Sequence, residues 1–92
     1  MRYDWDEDKA AANFRKHGVS FEEAVHALGD PFAVERIDER FDYDEERRIA
    51  ISQGVSSLLH VVYTERGDVT RIISAREATR NEQNNYYRQN AP

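Results

Sequence analysis

The chain lacks cysteine, long apolar runs and internal repeats. Without cysteine, its 92 residues form neither disulfides nor a thiolate metal site. No stretch approaches the roughly 20 apolar residues of a membrane span, and no N-terminal apolar run is typical of a signal peptide. These absences predict a cytoplasmic protein that does not associate with membranes.

Motifs for bound cofactors and metals are missing as well. The sequence contains no glycine-rich phosphate loop, no His-Glu-x-x-His zinc motif and no nucleophile elbow. A metal-dependent nuclease needs carboxylates that face one cavity, whereas the acids here crowd into a segment typical of a loop. We therefore expect neither a metal nor a cofactor.

The charge is unevenly distributed along the chain. Apolar residues make up 39% of the sequence and are clustered, which favours a single folded domain over residues 1–92. The net charge of −5 disfavours phosphate binding, yet residues 30–46 alone hold eight acids and only two bases. The remaining residues carry a net charge of +1, which is compatible with a local basic site.

Helix signals stand at both ends of the sequence. Asp6 as an N-cap and Gly18 as a stop predict a helix over about residues 7–17. Ser20 and Glu23 form a capping box that begins a second helix, ending at Leu28. A similar pattern from Ser74 to Glu77 predicts a third helix that runs to about Tyr87.

Between these helices the sequence is typical of strands. Alternation and apolar content predict strands at residues 32–37, 48–52, 57–64 and 69–73. An acidic, solvated loop is expected at residues 38–46 and a hairpin connection at residues 65–68. The order predicts an α+β domain with two N-terminal helices, a small antiparallel meander and a C-terminal helix.

Three arginines, Arg66, Arg71 and Arg76, recur at five-residue intervals. Arg76 falls in the first turn of the predicted third helix, where a positive charge is unfavourable unless an anion docks. RNA can be cut without metal by its own 2′-hydroxyl if the enzyme moves protons and stabilises the charge on phosphorus. Arginine suits that second task because its planar fork bridges two phosphoryl oxygens. Arg66 and Arg76 are therefore candidates for a phosphate clamp.

Each arginine also has a purely structural interpretation. Arg66 on a turn is typical of a solvated side chain, and Arg76 could simply pair with Glu77. Arg71 in mid-strand is typical of a cross-strand ion pair.

Other candidates are the pair Lys16 and His17 at a helix C-terminus, and Glu65 as a base. The helix dipole alone explains two cations there, and a turn glutamate is usually solvent-facing. His60 in an apolar strand is typical of a core histidine, and His26 of a solvated one. Trp5 is more typical of a core anchor than of a base-stacking residue.

Several blocks in order resemble the BrnT family: Trp5-Asp6 with Lys9 and Asn13, residues 16–24 (KHGVSFEEA), Asp30-Pro31, residues 46–51 (ERRIAI), residues 63–67 (YTERG), residues 71–76 (RIISAR), Glu82 and Tyr86. The resemblance implies a ribonuclease toxin of a type II toxin–antitoxin system, with a compact fold similar to RelE. It also implies an RNA substrate and a BrnA-like antitoxin that binds the toxin and links it to operator DNA. The site residues carried over are Lys16, Arg66 and Arg76, followed by His17 and Glu65.

The leading hypothesis is a metal-independent endoribonuclease that inhibits translation. An alternative is a non-catalytic module that binds the antitoxin and contributes to operon repression. The acidic segment motivates this alternative, because Asp38, Glu39, Asp42 and Asp44 could meet a basic partner. A third hypothesis is a protein that grips RNA without cutting it.

Overall fold

The computed structural model describes residues 2–39 and 45–92. Within them, five strands and three helices follow one another along the chain. In order they are β1 (Arg2–Asp4), α1 (Glu7–His17), α2 (Phe21–Ala27), β2 (Val34–Ile37), β3 (Arg48–Gln53), β4 (Leu58–Arg66), β5 (Val69–Glu77) and α3 (Arg80–Gln89). None of the helices in the described ranges is long and apolar enough to cross a membrane.

The strands form one mixed sheet in the order β1-β5-β4-β3-β2. Strands β2 to β5 pair antiparallel, as the meander predicts, while β1 pairs parallel to β5. The predicted α+β class is therefore confirmed, but the prediction of a purely antiparallel sheet is wrong. With only three residues, β1 is too short to show an alternating pattern in the sequence.

Helices cover both faces of the sheet. The α1–α2 side packs around Phe21, Leu59, Val61 and Ile72, with Trp5 edge-on to Phe21 at 6.0 Å between ring centroids. The α3 side packs around a second cluster that includes Tyr86. Strand β4 is buried from Leu58 to Thr64, which confirms the expectation of a central strand covered on both sides.

The third helix begins later than the sequence predicts. Strand β5 continues to Glu77, and the capping box of α3 is formed by Thr79 and Glu82. Arg76 therefore lies in a strand, and the prediction of a first-turn arginine is wrong. The Ser74–Glu77 pattern fits a capping box, but pairing with the long strand β4 outweighs this local preference.

Asn13 of α1 is hydrogen-bonded to β5 beyond residues 69–71, where β5 pairs with β1. Its buried side chain donates to the carbonyl oxygens of Ala75 (2.8 Å) and Val19 (3.0 Å). Its amide oxygen accepts from the Ala75 N–H at 3.1 Å. One side-chain amide thus bonds both backbone polar groups of Ala75 and holds α1 beside β5.

Two connections also differ from expectation. The β4–β5 hairpin turns at Gly67 and Asp68, with Gly67 at φ +63°, so residues 65 and 66 belong to β4. In the acidic segment, Asp38 is buried and its N–H donates to the Arg47 carbonyl at 2.8 Å, so a wholly solvated loop is wrong. Glu39 is exposed. The two other acids proposed to meet a basic partner, at positions 42 and 44, lie outside the described residues.

Candidate functional site

Arg76 is fixed on the α3 side of the sheet by Glu82. Its two terminal nitrogens donate to the two carboxylate oxygens of Glu82 at 2.9 and 3.1 Å, and one also donates to the Glu77 carbonyl at 3.0 Å. The predicted pairing with the Glu77 carboxylate is replaced by a fork with Glu82. Three of the five guanidinium N–H groups are engaged in these bonds, and the fork fixes the plane of the others.

The electrostatics of this pair keep Glu82 ionised. Burial by itself raises the pKa of the Glu82 carboxyl, but bonds from Arg76 and the Thr79 amide, and the Arg76 charge, lower it to about 2. Glu82 also closes the capping box of α3, accepting from the Thr79 N–H at 2.8 Å. One carboxylate therefore orients the arginine and anchors the helix beside it.

His60 lies opposite Arg76 on β4, and its buried side chain confirms a core histidine. Burial and the nearby Arg76 charge lower the pKa of His60, so its ring is neutral at pH 7. Its Nε2 is 3.8 Å from a Glu82 oxygen, too far for a hydrogen bond. At neutral pH, His60 and Glu82 therefore lie side by side without forming an ion pair.

Arg71 and Arg66 also lie on the α3 side of the sheet, and both are nearer than Arg76 to the β4–β5 hairpin turn. Arg71 pairs with Asp4 at 3.3 Å across the β1–β5 register, which confirms a cross-strand ion pair. Arg66 makes a bidentate pair with Glu45 at 2.7 and 2.9 Å. Its side chain remains 55% exposed, so this pair faces solvent.

The structure does not bring Arg66 and Arg76 together. Arg76 is opposite His60 and Arg66 is opposite Val69, so their positions are six residues apart along β4. At about 3.3 Å per residue this is roughly 20 Å, with each guanidinium held by a different carboxylate. The two arginines therefore do not form one clamp, and the catalytic role of each stays a prediction.

Lys16 and His17 are exposed in the last turn of α1, where the helix dipole favours positive charge. They line a shallow cavity against the β5 edge that also includes Ser74. Ser74 and Arg76 are two residues apart on one strand and so share a face about 7 Å apart. The cations of α1 therefore share a cavity with Ser74, and Arg76 follows Ser74 by two residues on β5.

Glu65 lies elsewhere. It alternates with Arg66 and so faces the α1–α2 side of the sheet, in a cavity with Tyr63 and Glu35. Its carboxylate is 3.5 Å from Arg48. The structure therefore separates Glu65 from Arg76 by both face and position.

The sequence interpretation missed Glu82 and His60 as neighbours of Arg76. Thr79 followed three residues later by Glu82 is itself a capping-box pattern, and it would have placed Glu82 at the start of α3. The pairing of His60 with Arg76 depends on the β4–β5 register, which is shifted between Val62 and Tyr63. No local signal reveals that shift.

In the parts of the chain that the structure describes, no group of three or more His, Asp or Glu side chains is arranged to hold a metal ion.

The fold and this face together define a small α+β protein with Arg66, Arg71 and Arg76 on the α3 side of its sheet. The family described as "Ribonuclease toxin, BrnT, of type II toxin-antitoxin system" matches residues 5–82. The chain therefore belongs to the BrnT family of ribonuclease toxins, which implies an RNA substrate and an antitoxin partner. No curated protein matches the chain.

Proposed function

We propose that residues 1–92 act as one metal-independent endoribonuclease domain in the cytoplasm, and that RNA cleavage inhibits translation. The observation that carries this proposal is the fixed Arg76 fork, which lies on the same side of the sheet as Arg71 and Arg66. Single-stranded RNA laid along this side would meet cationic groups at intervals along its backbone.

The proposed reaction uses the RNA's own 2′-hydroxyl as the nucleophile. The hydroxyl gives up its proton as its oxygen attacks phosphorus, the bond from phosphorus to the 5′-oxygen breaks, and the 5′-oxygen takes up a proton, leaving a 2′,3′-cyclic phosphate and a 5′-hydroxyl. Arg76 would stabilise the charge on the non-bridging oxygens through its N–H groups that do not bond Glu77 or Glu82. Lys16 would hold a neighbouring phosphate, and His17 would transfer a proton.

Arg66 and Glu65 receive different roles in this proposal. Arg66 would bind the RNA backbone some distance from the cut, because roughly 20 Å separates its strand position from that of Arg76. Glu65 was a candidate base, but its orientation toward the α1–α2 side gives that role the least support. We expect Glu65→Gln to retain cleavage.

A purified-protein assay tests catalysis. Labelled RNA incubated with a chelator should still be cut, and the products should carry 2′,3′-cyclic phosphate ends. Arg76→Ala should slow cleavage by about 10²-fold or more, the usual loss when one transition-state donor is removed. Arg76→Lys should restore little, because lysine keeps the charge and loses the fork.

Arg88→Ala is the matched control, because Arg88 is an exposed arginine in the last turn of α3. Melting temperatures of all variants separate a catalytic loss from unfolding. Cleavage that requires a divalent metal, or an Arg76→Ala protein that is folded and fully active, would overturn the proposal. Incorporation of labelled amino acids in expressing cells then tests translation inhibition.

The proposed partner is a BrnA-like antitoxin that neutralises the toxin and connects it to operator DNA. The alternative of a non-catalytic antitoxin-binding module has its own support, since Arg66 and Arg76 are already paired with carboxylates of this chain. An intact, folded protein that binds the antitoxin tightly but never cuts RNA would favour this alternative.

A further inference from the structure

A cavity of about 190 Å³ lies between α3, the edge strand β2 and its neighbour β3, beside the Arg76 site. Its walls are Val34, Arg36, Ile51, Asn81, Glu82 and Asn85. A water molecule needs only about 10–15 Å³ of such space, so the cavity has room for a group of several non-hydrogen atoms. The mechanism above uses none of this lining except Glu82.

The lining combines an apolar floor with amide edges. Val34 and Ile51 are directly opposite in the β2–β3 register and present aliphatic surface. Asn81 and Asn85 are four residues apart on α3 and so project from one side of the helix. An aliphatic floor beside amide donors and acceptors suits a nucleobase, whose ring packs while its edge hydrogen-bonds.

The cavity adjoins the phosphate-directed arginine. Glu82 is shared, since it lines the cavity and holds both terminal nitrogens of Arg76 at 2.9 and 3.1 Å. Ile51 is also opposite His60, which in turn is opposite Arg76. Two strand spacings, about 10 Å, therefore separate Ile51 on this floor from the Arg76 backbone. A base seated on the floor would have its own backbone on the side of the cavity where Glu82 holds Arg76.

We propose that this cavity is a nucleobase pocket for a nucleotide next to the cleaved phosphate, in which Asn81 and Asn85 read the base edge. The proposal rests on the proposed ribonuclease function. It makes the enzyme sequence-selective at one position of its RNA. Arg36, exposed at the rim on β2, contributes charge or stacking that every base can use.

Binding is tested separately from cleavage with 2′-O-methyl trinucleotides of A, C, G and U, which cannot undergo 2′-hydroxyl attack. Titrations followed by NMR on the wild-type protein should show that one base binds at least about fivefold more tightly than the others, the low end for one bidentate edge contact. Asn81→Ala and Asn85→Ala should reduce this spread to within about twofold. Asn84→Ala is the matched control, because Asn84 is an exposed asparagine of the same helix outside the cavity.

Sequencing of RNA ends tests the same pocket during turnover. Wild-type protein and Asn84→Ala should show one base enriched at a fixed distance from the cut. Asn85→Ala should lose that enrichment while still cutting, whereas Arg76→Ala should lose cleavage at all sequences.

The outcomes separate the two proposals. Base-dependent trinucleotide binding without any cleavage would retain the pocket and overturn the ribonuclease mechanism. Cleavage with the same base preference in wild type and both asparagine variants would overturn the pocket alone. If these variants instead weaken only antitoxin binding, the cavity belongs to the protein partner and the proposal is wrong.

Discussion

Glu82 is bonded both to the arginine of the candidate site and to the first turn of α3. It accepts from the Thr79 amide to begin α3 and holds Arg76 in a two-bond fork. Its side chain is 22% exposed, so the pair is partly shielded from water. Replacing it therefore affects helix capping, arginine orientation and the charge near His60 together.

The low pKa of Glu82 predicts a specific acid response. Its folded-state pKa of about 2 lies below the ordinary value of 4.5, so the unfolded chain takes up a proton first as the pH falls. The stabilisation is complete above the ordinary pKa and is lost as the pH drops from about 4.5 to 2, and it amounts to about 1–3 kcal/mol. Urea unfolding at pH 7, 5 and 3 should show that Glu82→Gln is less stable at pH 7 and loses less stability than wild type on acidification.

Glu77→Gln serves as the control for that experiment. Glu77 is an exposed acid at the end of the adjoining strand β5. The Glu77→Gln variant should lose as much stability on acidification as the wild type does. Equal losses between pH 5 and pH 3 in wild type and Glu82→Gln would show that the carboxylate does not stabilise the fold in this way.

At the scale of secondary-structure elements, the sequence predicts correctly those features that depend on interactions within one helical turn. The α1 bounds of residues 7–17 and the Ser20–Glu23 capping box of α2 are confirmed, because caps act within one turn. The end of β5 was missed because it is set by long-range pairing with β4. The site shows the same division: arginine chemistry is visible in the sequence, while the Arg76–Glu82 fork depends on where β5 ends.

Asn13 tests that long-range control directly. Asn13→Ala would leave Val19 O, Ala75 O and Ala75 N–H without their buried partner, at a cost of about 1–3 kcal/mol for each group that water does not reach. We expect a total loss of about 2–4 kcal/mol in the free energy of unfolding, measured in urea. Asn84→Ala on the surface of α3 should change stability by less than about 0.5 kcal/mol. If Asn13→Ala also lost less than about 0.5 kcal/mol, the backbone groups of Ala75 would not depend on α1 for their hydrogen bonds.

Across the whole molecule, the three arginines on the α3 side of strands β4 and β5 are paired with carboxylates of the same chain. Among the described residues, Arg66 forms an ion pair with Glu45, Arg71 with Asp4 and Arg76 with Glu82. The chain as a whole carries −5. RNA must therefore compete with the protein's own carboxylates, and the most exposed pair is the easiest to exchange because water and salt already screen it.

That exposed pair is Arg66–Glu45, and exchange there should be measurable. The pKa of Glu45 is lowered first by its hydrogen bond from Arg66, so the acid is ionised at neutral pH and competes with phosphate for the same fork. Glu45→Gln should raise RNA affinity about three- to tenfold at 50 mM salt and steepen the salt dependence by about one phosphate contact. Fluorescence anisotropy with a 2′-O-methyl RNA over a salt series measures both quantities.

Glu46→Gln removes the same charge from the next residue, whose carboxylate lies 3.4 Å from Arg48 instead. If release of Arg66 is the cause, Glu46→Gln should strengthen binding much less than Glu45→Gln. The double variant Glu45→Gln with Arg66→Ala should lose the gain, because no fork remains to be freed. Equal gains in both single variants would instead assign the effect to net charge, and RNA would then respond to the overall field of the molecule rather than to Arg66.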